Sequence, residues 1–557
     1  MRLSGADIIV KTLIEQGCDV VFGYPGGQII DVYDSLYKYQ DEIRHVLTAH
    51  EQGAAHAADG YARATGRVGV VLATSGPGAT NLVTGIATAY LDSVPMVAIT
   101  GNVMTTQIGY DSFQEIDITG ITLPITKHNY FVGSVEELVD TIREAFQLAI
   151  SGRPGPVLID VPKDIQTAMC EYEPKEAVLP LEKNSAKDVR IQAAADCINE
   201  SKRPFIYFGG GITASNAAEE MLALAEKIDA PLGCSMMGLS AVPTSHPRFL
   251  GMQGMHGHYA SSMAMHNADC IIALGVRFSD RVIGDKEKFA ANAKVIHIDI
   301  DGSELSKTVA EAHSLRADLK LTLDKLLPLI KNVSHPDWQA DIERYRKEEA
   351  LYADKREGVT PQNVLSLLNG YLHENTPIVT DVGQHQMWSA QYLHFTNSRR
   401  FISSGGLGTM GFGIGAAIGA AIATGEKTVL VTGDGSFAMT LQELATAVSE
   451  NIPLVILIFN NGVLGMVRQW QTLFYDKHYS NTVLNRKTDY VALARAFGAE
   501  GEVASDLAML KAAFDRGFAA EGPYLIDCTI HQDEFVLPML PPGGTVDEMI
   551  VKVGDAE

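Results

Sequence analysis

Basic side chains are scarce in this chain. Lys and Arg number 44 against 67 Asp and Glu, which leaves a formal charge of −23. A surface that acidic repels phosphate backbones, so nucleic acid is excluded as a partner, and acidic membrane surfaces are disfavoured for the same reason. Anionic ligands must then be held locally, by helix N-termini, a metal ion or a few placed cations. Cysteine is sparse too. The six (Cys18, Cys170, Cys197, Cys234, Cys270 and Cys528) show no paired spacing, which argues against a disulfide framework or zinc site and predicts reduced thiols. No apolar run reaches the ~20 residues that span a bilayer. The longest weakly polar stretch, 411–425, is mostly Gly and Ala and predicts a buried helix. The N-terminal MRLSGADIIVKTLIEQG has no cleavable apolar segment, so the expected location is cytoplasmic.

What is present is a soluble globular composition, 46% hydrophobic and 20% charged, over 557 residues. That length exceeds one ordinary domain. Short β-branched runs recur, each followed by a turn and a helical stretch: VGVVLATSGPG, PMVAITG, PVLIDVP, CIIALGVRF, KVIHIDID, KTVLVTGDG and PLVILIFNN. Apolar strands without alternation, separated by helices, indicate parallel sheets covered on both faces. The predicted class is α/β, with three doubly wound parallel-sheet domains. Polar stretches at 171–190 and 338–358 divide the chain into units near 1–170, 190–335 and 360–530, with a C-terminal arm at 531–557. Thr360-Pro361 reads as an N-cap with proline at the first helical position, opening the third unit.

Two strand ends in the third unit carry the strongest chemical signal. Gly433-Asp434-Gly435 follows TVLVT and precedes a helix, and about two dozen residues later a second strand ends in Asn460-Asn461. Open α/β sheets bind ligands at this edge. The glycines admit a diphosphate to the backbone, the helix N-terminus offers free N–H groups, and Asp434 with an Asn amide oxygen suits Mg²⁺. A Gly-Asp-Gly turn alone is common; the pairing makes it a ligand signature. Upstream, Asp381-Val-Gly-Gln-His385 also follows a strand. In the first unit Glu51 stands just beyond an apolar strand at the start of a helix rich in Ala and Gly. The helix dipole favours its carboxylate and burial favours the protonated acid, and both remain open.

The spacing of GDG and NN resembles the thiamine-diphosphate motif, and HEQGA-x-H-x-A-x-GYAR resembles that family's glutamate segment. FGYPGG (22–27), SGPGATNL (75–82), DSFQE (111–115), SGRPGPVLIDVPKD (151–164), GMHG (254–257), GLGTMGFG (406–413) and GMVRQWQ (465–471) follow in order. Together they resemble the catalytic subunits of the acetohydroxyacid synthase family over all three units. The resemblance implies decarboxylation of pyruvate on thiamine diphosphate and transfer of the two-carbon unit to pyruvate or 2-oxobutyrate, giving 2-acetolactate or 2-aceto-2-hydroxybutyrate for branched-chain amino acids.

It also implies roles. Glu51 would hydrogen-bond the pyrimidine N1′, with Pro77 and Asn81 in the loop against that ring. Asp434, Asn461 and the Val463 carbonyl would hold Mg²⁺. Gln384, His385, Gly408, Gly433, Gly435, Ser436, Leu464, Gly465 and Met466 would line the cofactor, and Met410 would buttress its thiazolium. Gln114 and Lys163 would line the approach, Arg281 would face the substrate carboxylate, and Trp470, one of three tryptophans, would favour 2-oxobutyrate. FAD, without net redox work, would sit in the central unit against Arg153, Gly209, Gly210, Gly211, His256, Gly275, Val276, Arg277, Asp299, Ile300 and Asp318. The family pattern Phe-Asp-Asp-Arg reads Phe-Ser-Asp-Arg here, with Ser279. EFVLPMLPPGG (534–544) resembles an arm closing over the site. The implied partners are a second copy, as homodimer or dimer of dimers with the site between chains, and a small regulatory subunit. Rival readings are a flavin-free catabolic acetolactate synthase, against which Trp470 and Gly27-Gln28-Ile29 argue, a pyruvate-oxidase-like flavoenzyme, and a decayed binding protein, which the presence of Glu51, Asp434 and Asn461 disfavours.

Overall fold

The structure is a computed structural model and describes residues 1–552 of the chain, so the last five residues of the 531–557 arm lie outside the described part. The first domain contains β1 (Arg2–Ser4), β2 (Val20–Gly23), β3 (Arg44–Leu47), β4 (Gly69–Ala73), β5 (Met96–Asn102), β6 (His128–Phe131), β7 (Pro156–Pro162) and β8 (Met169–Glu171). The second contains β9 (Pro204–Phe208), β10 (Leu232–Cys234), β11 (Phe249–Met252), β12 (Cys270–Leu274), β13 (Lys294–Asp299) and β14 (His313–Arg316). The third contains β15 (Ile378–Thr380), β16 (Phe401–Ile402), β17 (Thr428–Gly433), β18 (Leu454–Asn460), β19 (Glu500–Ala504) and β20 (Tyr524–Thr529). Each domain builds one six-stranded sheet, parallel throughout, and β1 and β8 form a separate antiparallel pair. The α/β expectation holds, because β4, β5, β7, β17 and β18 are buried along almost their whole length, as strands covered on both faces must be.

The wiring distinguishes the domains. The first sheet runs β3-β2-β4-β5-β7-β6 and the third β16-β15-β17-β18-β20-β19, one and the same connection pattern. The central sheet runs β11-β10-β9-β12-β13-β14, the order that recurs in dinucleotide-binding sheets. The six cysteines are free thiols, and among the described residues no helix is long and apolar enough to cross a membrane.

Gly413–Thr424 is the buried helix that the composition predicts. It crosses Glu51–Thr65, the helix beginning with the expected catalytic glutamate, and both are buried nearly all round. Small residues decide how close they come. A Cβ on Gly60 would collide with the Ala416 carbonyl, and one on Gly419 with the Ala57 carbonyl. Arg63 adds charge at the same junction, pairing with Asp59 and with Asp92 (2.9 Å) and donating to the Ser403 carbonyl of the third domain (2.9 Å).

Thr360 caps the helix Pro361–Asn369, accepting the Asn363 N–H at 3.2 Å. The polar stretch preceding it is not a plain connector. Pro336–Tyr352 is a 17-residue helix that buries Trp338, Ile342 and Tyr345. Those three lie at helical spacing on one stripe, and charges fill the rest of the surface, which is why the stretch reads as polar.

The C-terminal arm runs from the third domain onto the second. Arg468 donates to Asp533 (2.8 Å) and Arg356 to Glu534 (2.6 Å). Gln384 Nε2 donates to the Glu534 carbonyl (2.6 Å), and Trp388 Nε1 to the Phe535 carbonyl (3.2 Å). The Gln469 amide accepts from Val536 N–H (2.8 Å) and donates to the Val536 carbonyl (3.0 Å), as a neighbouring strand would. Leu540 N–H then reaches the Met255 carbonyl of the second domain at 2.7 Å.

Two outcomes are expected. Gly419→Ala overpacks the helix crossing and should cost about 1–3 kcal/mol, lowering the midpoint of thermal unfolding by about 2–4 °C for each kcal/mol; an unchanged midpoint would show that the crossing yields freely. Gln469→Leu removes both hydrogen bonds to Val536 and should release the arm to limited proteolysis about tenfold faster. Wild-type cleavage kinetics would mean that the remaining contacts of the arm hold it without the Gln469 amide.

Candidate active site

The first cluster lies at the C-terminal edge of the first sheet. Glu51 is the first residue of its helix, and the preceding His50 caps it, Nδ1 accepting the Gln52 N–H at 3.1 Å. Glu51 Oε2 accepts from Asn81 Nδ2 at 2.9 Å. Asn81 ends the short helix Pro77–Asn81, which has proline at its first position. Gln114, with φ of +61°, belongs to a loop pressed on the Gly76 turn: a Cβ there would sit 2.9 Å from the Gln114 carbonyl oxygen. Glu51, Pro77, Asn81 and Gln114 are therefore neighbours. Lys163 begins the helix after β7, donates to the Gly27 carbonyl at 3.0 Å and pairs with Asp31 at 2.6 Å.

The second cluster occupies the matching edge of the third sheet. Asp434 opens the helix Asp434–Thr440 and is buried. Burial pushes its carboxyl up to about 6 against the opposing pull of backbone amides, including Gly435 and Gly462. The Asn461 Oδ1 accepts the Val463 N–H at 3.2 Å, so the residue after β18 folds back toward its own loop. His385 is buried and neutral at ordinary pH, because burial holds its imidazole down to about 3. Its Nε2 has no hydrogen-bond partner. A Cβ on Gly433 would come within 3.0 Å of that ring, so the glycine leaves room for it.

Gln384 is also buried, and its amide is fully engaged. Besides the arm it donates to Gln469 Oε1 (3.1 Å), and its Oε1 accepts weakly from Asn461 Nδ2 (3.4 Å). A Cβ on Gly465 would collide with the Gln384 Oε1, so a larger residue there would have to push the Gln384 amide aside. The Ser436 hydroxyl donates to the Val382 carbonyl at 2.8 Å. Met410 Cε would stand 3.9 Å from a Cβ on Gly435, which brings the Gly408–Met410 turn to the GDG segment. Leu464 N–H donates to the Thr482 carbonyl (2.8 Å), and Met466 lies in the helix Gly465–Phe474 that this loop feeds. Among the described residues no group of three or more His, Cys, Asp or Glu could hold a metal. A cation here would have to rely on one carboxylate plus amide and carbonyl oxygens, the mixed oxygen set that Mg²⁺ accepts.

Arg281 comes from the second domain and Trp470 from the third, and the structure joins them: the guanidinium carbon lies 5.9 Å from the indole centroid. Arg281 is 63% exposed, with Asp280 its weak partner at 3.7 Å. Ser279 is the N-cap position of the short helix Asp280–Ile283.

In the central sheet, Gly209, Gly275 and Asp299 mark the C-terminal ends of β9, β12 and β13. Gly209 and Gly211 are needed for packing, since a Cβ on Gly209 would be 2.5 Å from the Gly275 carbonyl and one on Gly211 2.6 Å from Gly275 Cα. Gly210 has a looser surround, 3.3 Å from the Met237 carbonyl. His297 Nε2 meets the Val276 carbonyl at 3.0 Å, and Arg277 donates to the Leu91 carbonyl at 3.1 Å. Asp299 is buried and accepts the Asp301 N–H at 2.8 Å; Ile300 between them is half-buried. Arg153 crosses from the first domain to pair with Asp301 (3.1 Å) and Glu304 (2.9 Å). Asp318 caps a helix through the Leu321 N–H and pairs with Lys183. His256 is buried beneath the arm, with its Nδ1 unpartnered.

Two clusters stay apart. Among the described residues no hydrogen bond or ion pair joins Glu51 to Asp434 or Asn461. Sequence reasoning missed several residues that shape the site. Glu443 of the third domain is buried and accepts the Ala49 N–H (3.1 Å) just ahead of Glu51. Asp381 is buried among the Met410 turn and β17, and Gln469 and Arg468 anchor the arm. Asp381, Arg468 and Gln469 lie inside quoted motifs that assign them no role, and Glu443 lies in none of them.

Known proteins place this geometry. The chain matches three family descriptions in order: thiamine pyrophosphate enzyme, N-terminal TPP binding domain (residues 3–121), its central domain (191–326) and its C-terminal TPP binding domain (381–528). It is 44% identical to the acetolactate synthase isozyme 2 large subunit of Escherichia coli K12, covering 99% of this chain and 100% of that protein. It is 43% identical to the isozyme 3 large subunit of the same organism, over 98% of each. With the acetolactate synthase large subunit of Lactococcus lactis it shares 45%, over 98% of this chain and 96% of that one. With Glu51 set at one sheet edge and Asp434 at its counterpart, and similarity running end to end, the chain belongs to the acetolactate synthase large-subunit family of thiamine pyrophosphate enzymes.

Proposed function

We propose that the protein decarboxylates pyruvate and joins the remaining two-carbon unit to a second pyruvate or to 2-oxobutyrate, forming 2-acetolactate or 2-aceto-2-hydroxybutyrate. The observation that carries this is the pair of like-wired sheets with complementary groups at their edges: the Glu51 carboxyl group at one, and buried Asp434 and His385 beside the Gly433–Gly435 turn at the other. Bound thiamine diphosphate supplies the electron sink for losing CO₂ and the nucleophilic carbon for ligation.

The residues present suit that cofactor. The buried His385 Nε2 has no partner, and in its Nε2–H tautomer it would donate to an acceptor such as a diphosphate oxygen. Asp434, Asn461 and the Val463 carbonyl would hold Mg²⁺, and Gly433, Gly435 and Ser436 would bring the helix N-terminus to the diphosphate. Gln384 supports the site differently from the expectation: its amide secures the arm and Asn461. Glu51, steadied by Asn81, would hold a proton at the pyrimidine N1′. Arg281 is the freer cation for a substrate carboxylate, since Lys163 already pairs with Asp31. The Trp470 indole beside it could contact the extra methylene of 2-oxobutyrate, worth about 1–3 kcal/mol of discrimination.

Because among the described residues no hydrogen bond or ion pair links Glu51 to Asp434 within one chain, a second copy would complete each site. A small regulatory partner is supported by the names of the relatives, which are large subunits. FAD in the central domain is supported by its strand order and by Gly209, Gly275 and Asp299 at the ligand-binding edge, with Arg153 reaching in from the first domain. The free thiols suit the cytoplasm.

Glu51→Gln alone should lower acetolactate formation from pyruvate by about 10²–10⁴-fold, and Asp434→Asn should also be crippled. Co-refolded in equal amounts, they should recover about a quarter of wild-type activity, since half the dimers carry one intact site of two. A mixture no better than either variant would show that the site is not shared, and a fully active Glu51→Gln would remove the proposed chemistry. The purified protein should also be yellow and release a flavin on acid precipitation; a colourless, active enzyme would favour the flavin-free reading.

A further inference from the structure

The turn that carries Met410 is fixed by carboxylates from two domains. At its start, Asp92 of the first domain accepts the N–H groups of Gly405 (3.1 Å) and Gly406 (2.7 Å) while pairing with Arg63. At its end, Asp381 of the third domain accepts from Gly411 N–H (2.8 Å) and Gly413 N–H (3.3 Å). The same carboxylate takes the Val382 N–H at 2.8 Å and has the Thr432 hydroxyl at 3.5 Å. Asp381 is 1% exposed and is itself tied to the sheet by its N–H to the Val431 carbonyl. Thr440 completes the grip, its hydroxyl donating to the Gly411 carbonyl at 2.8 Å. Gly411 has φ of +89°, so the peptide after Met410 has a conformation that a side chain would resist.

Three segments with cofactor-facing residues thus meet at one group: 381–385 with His385, 408–413 with Met410, and 432–436 with Asp434. Hydrogen bonds to an ionised acceptor are the stronger and more directional kind. We propose that Asp381 is the positioning residue that sets where Met410 stands against the thiazolium ring and holds that turn in register with the diphosphate pocket. Asparagine would substitute poorly: its one oxygen could keep the Val382 and Gly411 N–H groups that share Oδ1, but its NH₂ would replace Oδ2 and face the Gly413 N–H, and the charge that strengthens all of these bonds would be lost. The proposal rests on the reading of Met410 as the buttress of the cofactor.

The test uses the full-length enzyme with thiamine diphosphate, Mg²⁺ and FAD, and reads hydrogen–deuterium exchange at C2 of the bound cofactor by acid quench and proton NMR. Asp381→Asn should slow exchange by about 10–100-fold, as expected for a reacting group displaced by around an ångström. It should raise the thiamine diphosphate concentration for half-activity, yet change the pyruvate KM less than about threefold. If Asp381 acts through Met410, Asp381→Asn/Met410→Ala should exchange within about twofold of the slower single variant. Wild-type exchange in Asp381→Asn, or multiplied losses in the double variant, would overturn the proposal. Wild-type exchange in Met410→Ala would instead overturn the Met410 reading beneath it. Thr440→Val leaves the buried carboxylate intact and should slow exchange by about 3–10-fold. If Asp381→Asn fails to fold, wild-type exchange in Thr440→Val would sink the idea alone.

Discussion

Two helices built largely of glycine and alanine cross so closely that a methyl group on Gly60 or Gly419 would strike the facing backbone. One of them begins with Glu51; the other follows directly from the turn that holds Met410 and the Asp381 contacts. Their separation therefore sets, within each chain, how the proton-handling edge of the first sheet lies relative to the diphosphate edge of the third. Close-packed interiors yield little to added volume. A rigid crossing of this kind keeps the two edges in a fixed relation without any side chain bridging Glu51 to Asp434. Glu443 reinforces it by accepting the Ala49 N–H, and Gly53 lets that carboxylate in.

Charge is handled locally. The chain is strongly acidic yet its ligands are anions, and the answer is to bury neutral or compensated groups where the anions go. His385 is kept uncharged by burial, so it can give one hydrogen bond without carrying a cation into the interior. Asp434 is buried with a raised carboxyl, a costly state that a divalent cation would relieve. Asp381 and Asp92 instead turn carboxylates into backbone clamps. The exposed Arg281 beside Trp470 keeps only a weak partner in Asp280, which suits its proposed role toward a substrate carboxylate.

Much of this was legible in the sequence, and the reason is chemical. Phosphate and metal sites at the ends of parallel strands need glycine for approach and hard oxygens for ligands, and those requirements leave contiguous words such as Gly433-Asp434-Gly435 and Asn460-Asn461. A glutamate opening a glycine-alanine helix is equally local. The α/β class followed from apolar strands separated by helices. Sheet order was not legible, since β10 and β11 lie on the far side of β9 from β12 only through crossovers that no short motif encodes. The Asp381 clamp, the Gln469 amide that mimics a strand beside Val536, and Glu443 all depend on partners between 30 and almost 400 positions away. The helix Pro336–Tyr352 was masked because three buried residues among seventeen make a weak apolar signal.

The likeness of the first and third sheets suits the proposed sharing of one cofactor between two chains. Both use the same strand order, so both present their loops and helix N-termini at the same place on the C-terminal edge. Two such edges facing each other across a two-fold axis would enclose an elongated ligand, ring at one and diphosphate at the other. The two-fold operation then produces a second enclosure of identical make-up. The central sheet, wired differently, could not replace either partner in that arrangement. Its position, contacted by the arm through Met255 and by Arg153 from the first domain, suits a support for the walls of the site rather than a third reacting edge.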